Sequence, residues 1–295
     1  TMISPHEKLR CEMRPGAGKK LNWVLTIGHQ RSVYPSTAYG LPEVRNVTTA
    51  SGSRIMKQEG GEWIYIDGTN FGPLGYKVSV TYGKAGLYYE GLECEIIQNS
   101  IRIRCKSSPG IGGPHHWYVS VRGQTSAKNT AAIALTSYEV PQLFNVKPAS
   151  SPTSGLSVVV VEGKGFGSFA KDGTINEVQV LFDGVVLSNN NRAITRIAPT
   201  TERNASLEFA IGEGYNTGHS ISIRLTSPDG EIVLSSNSLD FDYDAPKLST
   251  IRVEDFVGAV GSERRLTITG INFCANSQCG TLFVNNVSVP VISYT

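Results

Sequence analysis

Five cysteines have the widest chemistry open to them in this chain: Cys11, Cys94, Cys105, Cys274 and Cys279. Cys94 stands 11 residues before Cys105, and Cys274 stands five before Cys279. Such pairs can close disulfides, stay as buried thiols or ligate a metal. A structural metal site needs about four Cys or His ligands at suitable spacing, and no His lies near either pair. Disulfides would place the chain in an oxidising compartment outside the cytosol.

Three Asn-x-Ser/Thr sequons accompany them, at Asn46, Asn204 and Asn286. Ordinary composition yields about two by chance, so they gain weight only beside the cysteines. Asn46 is the weakest acceptor of the three, because Val44 and Val47 place it in a strand. Asp240, Asp242 and Asp244 alternate along one stretch, and a hard cation such as Ca²⁺ prefers several oxygens of this kind. A solvated strand face explains them better, and no metal or other cofactor is expected.

Catalytic signatures are missing. Gly16-Ala17-Gly18-Lys19-Lys20 lacks the spacing and the Ser/Thr of a phosphate loop, and Gly163-x-Gly165-x-Gly167 lacks a βαβ setting. His115-His116 is expected on a surface turn, with a metal or pH-sensing role as the alternative. There is no Gly-x-Ser-x-Gly elbow, and His6-Glu7 has no second histidine of a zinc protease after it. The chain is therefore not expected to be an enzyme.

The elements that must hold these residues follow from length, composition and repetition. The 295 residues allow about two or three domains. A net charge of +2, from 27 basic and 25 acidic residues, opposes nucleic-acid binding. The hydrophobic share of 40% supports packed cores, and no apolar run is long enough to insert in a membrane.

Tyr-x-x-Pro occurs at Tyr39–Pro42, Tyr138–Pro141 and Tyr243–Pro246. Its prolines are 99 and 105 residues apart. A Gly-x-x-Phe follows each proline, at Gly68–Phe71, Gly163–Phe166 and Gly270–Phe273. A third marker, Cys-x3-Pro-Gly with a later Trp, appears at Cys11 and Trp23 and again at Cys105 and Trp117, 94 residues on. Phe209, Gly214 and Ile221 hold the matching places of the next unit.

These markers divide the chain into the back part of one unit (1–40), two whole units (41–140 and 141–245) and the front part of another (246–295). Both ends fall inside a unit, so the polypeptide is expected to continue in both directions. Alternating runs such as 117–121 and 221–225, punctuated by Gly, Pro, Asn and Asp, read as short strands throughout. Units of about 100 residues built from such strands predict immunoglobulin-like sandwiches.

On the Gly-x-x-Phe turns, the Tyr-x-x-Pro junctions and the Cys-x3-Pro-Gly segment, the chain resembles the IPT/TIG family. The resemblance implies a tandem array of immunoglobulin-like, early-set (E-set) β-sandwiches, an all-β fold. It also implies a binding or spacer role of the kind such arrays have in plexins, hepatocyte-growth-factor-type receptors, fibrocystin-like proteins and protist cell-recognition receptors.

Within this frame Cys94 is expected to pair with Cys105, and Cys274 with Cys279. Cys11 takes the place of Cys105 in a unit whose front part would lie upstream, and its partner is expected there. Phe71, Phe166 and Phe273 are expected to plug the cores, as are Phe241 and Tyr243. The expected function is non-catalytic: a rod-like section of an extracellular or cell-surface array. It would act through protein partners, self-association into a fibre or cell-surface contact, and carry N-linked glycans. The alternatives are the stalk of a signalling or cell-recognition receptor and an accessory module of a carbohydrate-active enzyme.

Overall fold

A computed structural model of the chain describes residues 2–4, 6–167, 177–187, 195–201, 204–227, 230, 232–258, 261–275, 280–289 and 291. Among these the backbone is strand and turn, and the helical turns are the single 3₁₀ turns Lys84–Gly86 and Ala132–Ala134. No helix among them is long and apolar enough to cross a membrane. The chain groups into two compact units, one holding Thr1–Val140 and the other running from Pro141, with Gly167, Ser227, Gly230 and Ile232 grouped with the first.

The first unit contains a complete β-sandwich of the immunoglobulin-like type. One sheet runs Leu92–Gln98, Arg102–Lys106, Trp63–Thr69, Glu43–Thr49. The other runs Tyr89–Glu90, Val78–Gly83, His115–Val121, Leu135–Tyr138, Ile55–Met56, with Gln124–Thr125 alongside His115–Val121. The chain changes sheets early. Glu43–Thr49 lies antiparallel to Trp63–Thr69, and Ile55–Met56 then lies parallel to the last strand, Leu135–Tyr138.

Alternation decides which faces meet. In Trp63–Thr69 the residues Ile64 and Ile66 are fully buried while Trp63, Tyr65 and Asp67 are half-buried on the opposite face. His115–Val121 buries His115, Trp117, Val119 and Val121 in the same way. The inward rows of both sheets form one core, in which Trp117 stacks on Tyr82 with ring centroids 4.0 Å apart. Burying an aromatic side chain of this size contributes about 2–3 kcal/mol.

The second unit repeats the plan. One sheet runs Gln142–Lys147, Val158–Lys164, Asn204–Ala210, Thr195–Thr201. The other runs Ser150–Ser151, Leu239–Tyr243, His219–Thr226, Glu177–Phe182, Val185–Val186, with Val233–Ser235 beside His219–Thr226. The parallel pair recurs as Ser150–Ser151 on Leu239–Tyr243. The chain therefore carries tandem immunoglobulin-like β-sandwiches.

The flanking segments repeat parts of this plan. Leu21–Asn22 pairs with Ser36–Thr37, as His115–His116 pairs with Leu135–Thr136. Trp23 Nε1 donates to Thr37 Oγ1 at 2.7 Å, and Trp117 Nε1 to Thr136 Oγ1 at 2.9 Å. Trp117 is 1% exposed and Trp23 is 38% exposed. At the other end the long hairpin Lys247–Gly258 and Gly261–Ile271 repeats the first two strands of a unit.

Candidate functional site

The recurrent residues converge on one structure at the start of each unit. A strand begins directly after each junction proline, at Glu43, Gln142 and Lys247. Each strand then slips register at the same place, between Val44 and Asn46, Leu143 and Asn145, and Leu248 and Thr250. Opposite each bulge sits the glycine of Gly-x-x-Phe.

A Cβ at Gly68, Gly163 or Gly270 would run into the backbone oxygen of Glu43, Gln142 or Lys247 and into the ring of Phe71, Phe166 or Phe273. Only a residue without a side chain lets the phenyl ring fold back onto its own strand. Phe71 and Phe166 are 0% and 1% exposed. Phe273, expected as a core plug, makes the same ring-on-glycine contact but is only half-buried.

Between glycine and phenylalanine the chain passes through the left-handed region, with φ 62° at Asn70, 67° at Gly165 and 60° at Asn272. Asparagine tolerates that region better than other side chains. Its amide also reaches back across the junction. Asn70 Nδ2 donates to Leu41 O at 2.9 Å, and Asn272 Nδ2 donates to Ala245 O at 3.2 Å. Asn129 Nδ2 donates to Val44 O at 2.5 Å, and Asn237 Nδ2 to Leu143 O at 3.1 Å, so both complete sandwiches hold the bulge by an amide from a late loop. None of these four roles was read from the sequence, although for Asn70 and Asn272 the Asn/Gly alternation at the left-handed position carried the signal.

The tyrosines of Tyr-x-x-Pro form a second repeated lock. Their hydroxyls donate to backbone oxygens at matching places: Tyr39 to Arg14 at 2.7 Å, Tyr138 to Ser108 at 2.6 Å and Tyr243 to Gly212 at 2.8 Å. Each ring also covers the glycine two residues further on, Gly16, Gly110 or Gly214, where a Cβ would strike it. Tyr138 shares its hydroxyl with Tyr82 at 2.6 Å. Burial pushes the Tyr82 phenol up to about 12 and holds Tyr138 higher still than the usual phenol. In the first unit, Gln124 accepts from Gly18 N at 2.8 Å and donates to Tyr39 O at 2.9 Å, tying 1–40 to the sandwich. In the second, Thr153 Oγ1 donates to Phe273 O at 2.8 Å.

Cys94 and Cys105 are joined as a disulfide, with Cα atoms 4.2 Å apart. It links the edge strand of the four-stranded sheet to its neighbour. Phe209 stands at the Cys105 position of the second sandwich and is 2% exposed. Cys274 is disulfide-bonded, and its expected partner Cys279 lies outside the described residues. Cys11 is a free, exposed thiol.

The sequons differ in setting. Asn46 is half-buried in its strand, and its Nδ2, the atom a glycan would use, donates to Asp67 at 3.2 Å. Asn204 opens the strand Asn204–Ala210, and its side chain is outside the described residues. Asn286 is exposed on a hairpin turn with Asn285, at φ 63° and 47°. Asn286 is therefore expected to be the most fully occupied of the three on natively sourced protein. Glycopeptide mass spectrometry checks this, and occupancy at Asn46 with Asn286 bare would contradict it.

Asp240 is exposed, whereas Asp242 Oδ1 accepts from Gly218 N at 2.7 Å and Asp244 Oδ1 from Ser150 Oγ at 2.6 Å. Two of the three carboxylates are thus already engaged, one with a loop and one with the short strand Ser150–Ser151. No group of three or more His, Cys, Asp or Glu among the described residues is placed to hold a metal ion. Adding a chelator is expected to leave the thermal midpoint of the second unit unchanged, and a fall of several degrees in calorimetry would return Ca²⁺ to these residues.

The expectation for His115 needs correction. It does not lie on a surface turn but opens the strand His115–Val121 and is 3% exposed. Its ring meets those of Tyr82, Tyr89 and Tyr138 at centroid distances of 6.0, 5.2 and 5.5 Å. A surface-turn reading of the His-His doublet overlooked the alternation that sends the first histidine inward with Trp117.

No family model matches the chain. No curated protein matches it. Among solved structures it is similar to the extracellular region of plexin A4. One such structure matches at 15% identity over 69% of this chain, with a TM-score of 0.27, and another at 12% over 95%, with 0.28. The chain spans 18% and 23% of those two plexin chains. The Escherichia coli adhesin FdeC matches at 9% identity over 75% of this chain and 74% of its own, with a TM-score of 0.24. The fold is defined by the strands and their registers.

Proposed function

We propose that this chain is a non-catalytic section of an extracellular or cell-surface array of IPT/TIG-like sandwiches, working through contact with protein partners or with further copies of the array. The observation that carries the reading is the doubled lock at Pro42, Pro141 and Pro246. At each junction the recurrent tyrosine, glycine and phenylalanine are engaged in folding the unit and fixing its first strand, and at Pro42 and Pro246 an asparagine amide joins them. With only residues 139–141 and 244–246 between the flanking strands, the linkers have little length in which to bend. In arrays of this kind stability is roughly a sum of unit and neighbour terms, which leaves the outward faces open to partners. The Cys94–Cys105 cross-link supports the oxidising compartment.

Labelling of intact source cells with a membrane-impermeant reagent tests the reading. Residues 41–245 are expected to be labelled without lysis, with Cys94 and Cys105 recovered as a cross-linked peptide. Labelling only after lysis, with both thiols free, would contradict it.

A further inference from the structure

His115 and His219 occupy the same place in successive sandwiches. Each stands five residues after the glycine covered by the locking tyrosine, Gly110 or Gly214, and each opens the corresponding strand. Each also directs Nε2 at the carbonyl four residues back, Ile111 O at 3.2 Å or Tyr215 O at 2.8 Å. In the N-terminal segment the matching residue is Leu21. The position therefore does not require a titratable group, and two sandwiches carry one.

Their surroundings differ in sign. His219 Nδ1 faces Asp183 Oδ2 at 2.7 Å, and the other oxygen of Asp183 accepts from Ser220 N at 2.8 Å. Both ring nitrogens of His219 thus meet acceptors, and only the imidazolium can donate to both at once. The ring stacks on Phe182 at 4.9 Å and lies edge-on to Tyr243, with Asp242 as the further nearby charge. His115 is enclosed by the phenols of Tyr82, Tyr89 and Tyr138, by the carbonyls of Ile111 and Gly112 and by its neighbour His116. None of these is an anion at neutral pH.

We propose that the two histidines form a differential pH device, in which mild acidification loosens the first sandwich around 111–115 and tightens the second around 215–219. The titration behaviour agrees. Burial is the largest influence on His115 and pushes it down to about 4, so its contribution is complete above the unfolded value near 6.5 and is lost as pH falls toward about 4. For His219, partial burial opposes the charge, but the hydrogen bonds to Asp183 and Tyr215 O and the charges of Asp183 and Asp242 outweigh it and raise the pKa. Its contribution is complete below the unfolded value and is lost as pH rises through the folded one. Asp183, lowered chiefly by its bond to His219, keeps that contribution until pH falls below the ordinary carboxylate range.

Hydrogen exchange on the whole chain, corrected for intrinsic rates, tests the device at about pH 7.5 and about pH 5.5. Protection in His115–Val121 is expected to fall about tenfold on acidification, the factor that a shift from 6.5 to about 4 gives. Protection in His219–Thr226 is expected to rise severalfold. Asp183→Asn, on an exposed turn, should abolish the rise without changing the fall. His115→Phe should abolish the fall without changing the rise; should that variant fail to fold, imidazole proton titration of the unaltered chain replaces it, with His115 expected to stay neutral below pH 6. Protection moving the same way in both strands, or a rise that survives Asp183→Asn, would overturn the proposal.

Discussion

Gly68→Ala is expected to destabilise the first sandwich by about 3 kcal/mol, at the upper end of overpacking effects. The new methyl group would meet the Glu43 carbonyl oxygen on one side and the Phe71 ring on the other. The carbonyl belongs to the pairing of Glu43–Thr49 with Trp63–Thr69 and cannot retreat without opening that ladder. Phe71 is fully buried and cannot leave without emptying the core end that it fills.

Gly52→Ala is the control. Gly52 has a positive φ, 80°, which Gly68 does not, but nothing lies within 4 Å of its added methyl, so only backbone strain of about 1 kcal/mol is expected. Urea unfolding followed by tryptophan fluorescence separates the two, because Trp23, Trp63 and Trp117 all lie in the first unit. Equal losses from both substitutions would show that the ring-on-strand contact at Gly68 does not exclude a side chain.

Loss of the Cys94–Cys105 cross-link is expected to cost about 3 kcal/mol by the loop-entropy relation for a separation of 11 residues. The effect should concentrate on Leu92–Gln98, which is an edge strand paired only with Arg102–Lys106 and buries Ile96. Without the bridge, that strand keeps its ladder but becomes the least secured part of the sheet. A Cys94→Ala/Cys105→Ala variant should lower the unfolding midpoint of the first unit and raise exchange in Leu92–Gln98, leaving Gln142–Lys147 unaffected. A midpoint unchanged from the oxidised protein would mean that the bridge does not constrain the unfolded chain.

The strands were legible because alternation was strong: 64, 66, 117, 119, 121, 221, 223 and 225 all point inward, as the apolar pattern requires. The repeat period was legible because turn geometry admits few residues. Gly68, Gly163 and Gly270 recur for lack of space, and Asn70, Gly165 and Asn272 for a positive φ. Other features depend on long-range contacts that spacing does not reveal.

Asn129 and Asn237 reach bulges 85 and 94 residues away, and nothing local marks them. The equivalence of His115 with His219 was open to counting from Gly110 and Gly214, but the doublet His115-His116 drew attention to itself and away from the register. What the pair does also depends on Asp183, which is 36 residues from His219 and belongs to another strand's turn. Likewise the three aspartates of 240–244 read as one acidic row, whereas the fold assigns Asp242 to a loop contact at Gly218 and Asp244 to the short strand Ser150–Ser151.

Electron microscopy of the native protein tests the proposed contact array most directly. The proposed array is expected to give elongated particles, with linkers between strands as short as 139–141 and 244–246. Compact globules, with the sandwiches folded back on one another, would contradict it.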